Sequence, residues 1–113
     1  MSGKIEENGI KSRLSGLCLV EVSGAGCASC LTLFPVLKAI AEQRGDIRFV
    51  SIETDGMSED TADLIEEWGI DRVPTVLLTD EGVPFARCFG YQPEEILEIW
   101  IDAKISEHAT KSI

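Results

Sequence analysis

The strongest constraint on the fold of this chain is the alternation of short apolar runs with stretches of helical spacing. Residues 17–22 and 47–53 are rich in branched and apolar residues, which is typical of buried strands. Each run is followed by a segment with helical periodicity, over residues 27–43 and 58–68. Strands separated by helices lie parallel, because each helix returns the chain across the sheet. This half of the chain therefore predicts an α/β fold.

The second half of the chain adds a hairpin and a last helix. Residues 75–79 and 84–89 predict two strands joined by Asp80, Glu81 and Gly82, so this pair is antiparallel. Pro93 opens a helix that we expect to end near residue 105. The predicted order is β-α-β-α-β-β-α, which gives a central mixed sheet of four to five strands flanked by helices.

Apolar spacing predicts which helical side chains face the core. Ser58 is a candidate N-cap for the second helix, and Pro35 should kink the first. The predicted inward residues are Leu31, Phe34, Leu37, Ile40 and Ala41 in the first helix, Leu64, Ile65 and Trp68 in the second, and Ile96, Leu97, Trp100 and Ala103 in the last.

The length of 113 residues predicts one domain over 1–113. We expect residues 1–13 and 106–113 to be peripheral or flexible, with a short helix possible over 5–14. His108, the one histidine, lies in the polar C-terminal segment and is interpreted as a solvated side chain.

The net charge of −10 argues against nucleic-acid binding, because phosphate contacts need clustered Lys and Arg. No apolar run approaches the roughly 20 residues of a membrane span. The first thirteen residues also lack the apolar core of a secretory signal. We therefore expect a cytoplasmic protein that binds neither nucleic acid nor membrane.

The four cysteines divide into one close pair and two single residues. Cys18 and Cys88 lie in apolar segments and are interpreted as small buried hydrophobic residues. Cys27 and Cys30 fall where a strand and turn lead into a helix, whose free N–H groups and dipole favour a thiolate at Cys27. Cys30 lies one helical turn further on. This geometry predicts that Cys27 attacks a disulfide and Cys30 resolves the mixed disulfide.

With these features the chain resembles the thioredoxin family over residues 17–105. The resemblance is carried by the C-x-x-C pair after a buried strand and by Pro35 five residues beyond Cys30. Val73-Pro74-Thr75 resembles the family's cis-proline tripeptide, and Gly90 its glycine near the active surface. Glu21, six residues before Cys27, lies where many members have a buried acid.

The resemblance implies a role for each of these residues. Val73, Pro74 and Gly90 would bind an extended segment of substrate. Glu21, with its pKa raised toward neutrality by burial, would accept the proton of Cys30. Ser29 can donate a hydrogen bond to Cys27, and Arg72 is interpreted as an exposed loop residue. The implied enzyme is a thiol–disulfide oxidoreductase that reduces disulfide-containing proteins with electrons from a reductase, without cofactor or metal.

Departures from the family pattern leave two alternatives open. Gly26 stands where many members have Trp, and Ala28-Ser29 where they have Gly-Pro, which alters the substrate surface and the redox potential. A binding or adaptor module with vestigial or redox-sensing cysteines is one alternative. A metal or iron–sulfur carrier is the other, and it would require Cys18 and Cys88 to reach the pair.

Overall fold

A computed structural model describes residues 9–111. A 3-10 helix, Ile10–Leu14, precedes the first strand. The elements that follow are β1 Leu17–Ser23, α1 Ala28–Arg44, β2 Arg48–Glu53, α2 Glu59–Glu67, β3 Thr75–Asp80, β4 Val83–Phe89 and α3 Glu94–Lys111. The predicted order of strands and helices is confirmed. Residues 1–8 and 112–113, with the start of the helix predicted over 5–14 and parts of both predicted peripheral segments, lie outside the described residues.

Within residues 9–111 the strands form one mixed, four-stranded sheet in the order β2-β1-β3-β4. β1 and β2 are parallel, as expected of strands joined through a helix. β3 is antiparallel to both β1 and β4. The expectation that strands separated by helices lie parallel is therefore wrong for β3. After α2 the residues 68–74 return the chain to the edge where β1 ends, so that Thr75 at the start of β3 pairs with Val22. The predicted α/β class with a mixed sheet flanked by helices is therefore correct.

Helices cover both faces of the sheet, and alternate residues of the central strands point toward one face or the other. α1 and α3 cover one face, whose buried core is Leu19, Leu33, Leu37, Ile40, Ala41, Ile47, Val76, Leu78, Leu97 and Ile101. α2 and the 3-10 helix cover the other, whose core is Ile10, Leu14, Cys18, Val20, Val22, Val50, Ile52, Leu64, Trp68 and Leu77. Burial on both faces explains the continuous apolar runs of β1 and β3.

The stripe predicted for α1 is partly wrong. Leu37, Ile40 and Ala41 are buried as predicted, together with Leu33. Leu31 is 77% exposed and Phe34 38% exposed. This helix carries apolar residues on more than one side, so its periodicity does not single out one face. Phe34 still packs edge-on against Phe49 of β2, with ring centroids 5.1 Å apart.

The stripe and the end predicted for α3 also need correction. Leu97 is buried and Trp100 partly buried, but Ile96 and Ala103 are exposed, and Ile101 is buried in their place. The helix continues to Lys111 instead of ending near residue 105.

His108 is a packed residue of α3 and not a solvated tail residue. Its ring stacks on Phe85 with centroids 3.9 Å apart. Its Nε2 also lies 2.8 Å from an Asp80 carboxylate oxygen. The end of α3 is thus attached to the β3–β4 hairpin, whose turn residues Glu81 and Gly82 both have positive φ, the conformation that suits tight hairpins.

Candidate active site

The sheet topology brings the predicted site segments to one edge. Val22 at the end of β1 pairs with Thr75 at the start of β3, and Thr75 pairs with Phe89 at the end of β4. The loop that leads to Cys27, the residues before β3 and the residues after β4 therefore share this edge. The N–H of Gly90 donates to the carbonyl of Pro74 at 2.9 Å.

Two cysteines begin helix α1. Cys27 is the N-cap, with extended backbone, and Cys30 lies one turn along the helix. The two are joined by a disulfide with their Cα atoms 5.3 Å apart. The Cys27 sulfur accepts the backbone N–H of Cys30 at 3.2 Å, as an N-cap side chain commonly does.

The two sulfurs of this pair differ in accessibility and surroundings. Cys27 is partly exposed, whereas Cys30 is 3% exposed. The hydroxyl oxygen of Ser29 lies 3.7 Å from the Cys27 sulfur. The first turn of α1 carries no acidic residue, so nothing in that turn opposes the positive end of the helix dipole. The arrangement leaves the sulfur-bearing side chain of Cys27 partly exposed and buries that of Cys30.

Glu21 is an acid buried in the sheet beneath α1. Its position in β1 alternates with Val20 and Val22, so it faces the α1 side together with Leu19. It is 1% exposed, and its Oε2 has no hydrogen-bond partner among the described residues. Burial raises the pKa of Glu21 to about 7, and the charge of Glu53 adds to this effect. The sequence-based expectation of a pKa near neutrality agrees with this value.

Before β3 the chain makes a cis peptide bond between Val73 and Pro74, as the resemblance implied. Pro74 is buried, while Val73 is 37% exposed. The Thr75 hydroxyl donates to the Arg72 carbonyl at 2.7 Å. The Arg72 guanidinium lies 4.8 Å from the Phe89 ring centroid and pairs with Asp71. Its side chain is 60% exposed, as predicted for a loop arginine.

Cys18 and Cys88 lie away from the pair. Cys18 is buried at the start of β1, and its thiol faces the core opposite α1. Burial raises the pKa of this thiol. Cys88 is partly buried in β4, and burial raises its pKa to about 11. Cys18 therefore lies on the sheet face opposite α1, at the start of β1, whereas Cys27 follows the end of that strand. Within residues 9–111 no group of three or more side chains that could hold a metal ion is found.

Two acids, at and just beyond the end of β2, contact the residues before Cys27, and neither was predicted from the sequence as a site residue. Glu53 Oε2 accepts the Ser23 hydroxyl at 2.9 Å. An Asp55 carboxylate oxygen accepts the backbone N–H of Ala25. Among 20 acids, nothing in the sequence distinguishes these two, because only the pairing of β1 with β2 brings them to the loop.

Fold and site together define a redox protein of the thioredoxin-fold class, with a C-x-x-C disulfide at the N-terminus of a helix. Residues 7–103 match the family model "Thioredoxin". Thioredoxin from Alicyclobacillus acidocaldarius is 35% identical over 81 residues, which cover 71% of this chain and 73% of that protein. Thioredoxin from Listeria monocytogenes is 30% identical over 84 residues, which cover 74% and 78% respectively. The chain belongs to the thioredoxin family.

Solved structures agree with this assignment. A crystal structure of a Nicotiana alata thioredoxin has a TM-score of 0.66 and 27% identity, covering 91% of this chain and 84% of that one. A mutant thioredoxin from Halobacterium salinarum has a TM-score of 0.67 and 27% identity, covering 80% and 75%. With its C-x-x-C disulfide, the protein is a thiol–disulfide oxidoreductase of thioredoxin type. In the described part of the chain, no helix is both long and apolar enough to cross a membrane.

Proposed function

We propose that this protein reduces disulfides in other proteins and is itself reduced by a disulfide reductase, in the cytoplasm. The observation that carries the proposal is the asymmetry of the cysteine pair. The Cys27 sulfur is accessible and accepts an N–H at the start of α1, while Cys30 is buried one turn behind it. Such an environment stabilises a thiolate at the accessible position.

In the first step the Cys27 thiolate attacks one sulfur of a substrate disulfide. The substrate S–S bond breaks as the Cys27–substrate bond forms, and the departing substrate thiolate takes a proton from solvent. The Cys30 N–H and the N-terminus of α1 stabilise the negative charge on Cys27 before attack. The product of this step is a mixed disulfide at the exposed sulfur.

In the second step the Cys30 thiolate attacks the Cys27 sulfur. The Cys27–substrate bond breaks, and the second substrate sulfur leaves as a thiolate that takes a proton from solvent. The Cys30 thiol must first lose its proton, and we assign the role of acceptor to Glu21. Its carboxylate lies on the sheet face that α1 covers and has one oxygen without a partner among the described residues. A pKa of about 7 allows the carboxylate to take this proton near neutral pH. The Cys27–Cys30 disulfide is then the oxidised product, and the two electrons have passed to the substrate.

The substrate segment is proposed to lie over Val73, Pro74 and Gly90. These residues share the sheet edge from which the Cys27 loop emerges. Val73 presents a partly exposed apolar side chain, and Phe89 and Tyr91 beside Gly90 are 40% and 46% exposed. An apolar surface at this edge of the sheet favours unfolded or extended segments that carry a disulfide.

Reduction of insulin with dithiothreitol as electron source tests the proposed function. Wild-type protein should accelerate the precipitation of the reduced insulin chains, and Cys27→Ser should abolish this acceleration. Cys30→Ser should instead accumulate a mixed disulfide through Cys27, because the resolving thiol is missing.

Cys88→Ala is the matched control, since it removes a thiol from the same sheet face outside the pair. It should keep the wild-type rate. Insulin reduction that survives in Cys27→Ser, or that is absent in the wild-type protein, would overturn the proposal. Reduction of the oxidised protein by a thioredoxin reductase with NADPH, followed by thiol trapping, tests the proposed electron donor.

A further inference from the structure

The segment before Cys27 is Ser23-Gly24-Ala25-Gly26, whose side chains are small or absent and offer few contacts to neighbouring residues. Gly26 has open space where a Cβ would stand, so no neighbour packs against that side of it. Gly24 is the opposite case, because a Cβ there would lie 2.9 Å from Thr54 Oγ1. The segment is therefore held against the end of β2 mainly through its backbone.

Residues 53–55 supply three hydrogen bonds to this segment. The Thr54 N–H donates to the Ser23 carbonyl at 2.9 Å, and the Ser23 hydroxyl donates to Glu53 at 2.9 Å. The Ala25 N–H donates to the Asp55 carboxylate. Of the three hydrogen bonds, the one between Ala25 and Asp55 lies nearest to Cys27 along the chain. It is charge-assisted, and bonds of that kind are stronger than neutral ones.

We propose that Asp55 is a positioning residue, which holds the backbone of the loop so that the Cys27 sulfur stays at the N-terminus of α1, in reach of the Cys30 N–H. The proposal rests on the proposed function, in which Cys27 is the attacking sulfur. Asp55 does not touch the reacting atoms, and it acts through the Ala25 N–H. Its charge alone would oppose a thiolate, so its benefit is the bond to the backbone.

Two variants separate the bond from the charge. Asp55→Asn keeps an oxygen that can accept the Ala25 N–H and removes the charge, whereas Asp55→Ala removes both. We expect Asp55→Ala to slow alkylation of reduced Cys27 by iodoacetamide about tenfold at pH 7, the scale of losing one hydrogen bond to a charged group. Asp55→Asn should stay within about twofold of wild type.

Peptide mapping by mass spectrometry assigns the alkylation to Cys27, and Asp63→Ala is the control, because it removes an exposed acid from α2. Hydrogen exchange of the Ala25 amide gives a second readout that needs no catalysis. This amide should be protected in wild type and Asp55→Asn, and it should exchange faster in Asp55→Ala.

Three results would overturn the proposal: an unprotected Ala25 amide in the wild-type protein, equal alkylation rates in Asp55→Ala and wild type, or equal slowing in both Asp55 variants. An unprotected Ala25 amide in the wild-type protein overturns the proposal even if Asp55→Ala does not fold. Because alkylation and exchange use no protein disulfide, they report on Asp55 even if insulin reduction fails. Failure of the proposed function is thus distinguishable from failure of this inference.

Discussion

Replacing Glu21 by Gln should stabilise the folded protein, and the gain should grow with pH. The buried carboxyl has a pKa of about 7, against an ordinary value of 4.5 in the unfolded chain. Between these two values the folded protein holds a proton that the unfolded chain has lost, so its stability falls as the pH rises. Gln resembles the protonated acid in shape but cannot ionise. The variant therefore should not lose stability in this way as the pH rises.

The size of the effect follows from the two pKa values. Each tenfold change in the equilibrium is about 1.4 kcal/mol, so a pKa difference of this size corresponds to about 3 kcal/mol when the carboxyl is fully ionised. The loss starts near pH 4.5 and is complete above pH 7. For a chain of this length, 3 kcal/mol corresponds to a change in Tm of roughly 10 °C.

Urea denaturation of oxidised wild type and Glu21→Gln at pH 4 and pH 8 measures this difference. The free energies of unfolding should be similar at pH 4 and should differ by about 3 kcal/mol in favour of the variant at pH 8. The disulfide should stay intact at both pH values, so that both proteins are compared in one redox state.

If the difference in free energy of unfolding between wild type and Glu21→Gln is the same at pH 4 and pH 8, the reasoning is refuted, because the ionisation of Glu21 would then contribute nothing to stability. An exposed substitution such as Glu59→Gln in the first turn of α2 serves as the control. It should show no comparable growth in stability with pH.

Two further predictions concern Glu53 and the core of α1. Glu53→Gln removes the neighbouring charge that helps to raise the pKa of Glu21. The pH at which mixed-disulfide resolution reaches half its maximal rate should therefore move to lower pH. An unchanged dependence of that rate on pH in stopped-flow measurements would show that the two acids are not coupled. Leu37→Ala should lower the free energy of unfolding by about 2–5 kcal/mol, as truncations in a packed core do, because Leu37 is fully buried. Leu31→Ala in the same helix should change the free energy of unfolding by less than about 1 kcal/mol, since Leu31 is 77% exposed. An equal fall in the free energy of unfolding in the two variants would contradict the assigned faces of α1.

Much of the fold was predictable because it depends on local patterns. The apolar runs of β1 and β3, the Ser58 cap of α2 and the hairpin residues before β4 each act within a few residues, and the structure confirms their elements. The cysteine pair was equally readable, since a strand, a turn and a helix start follow one another in the chain.

The faces of the helices were less predictable. α1 and α3 carry apolar side chains on several sides, so periodicity admits more than one stripe. Leu33 and Ile101 are buried because of where the helices rest on the sheet, and Leu31 and Ile96 are exposed for the same reason. His108 illustrates this effect most clearly, because its packing on Phe85 requires β4 to lie beside the end of α3.

The sequence by itself determined the order of the elements and the position of the Cys27–Cys30 pair at a helix start, because both are encoded by residues close together in the chain. Tertiary structure alone decided which other acids reach the segment before that pair. Glu53 and Asp55 reach the loop before Cys27 because β1 and β2 pair in parallel and end at the same edge. Contacts of this kind join residues about thirty positions apart, and no short-range pattern specifies them.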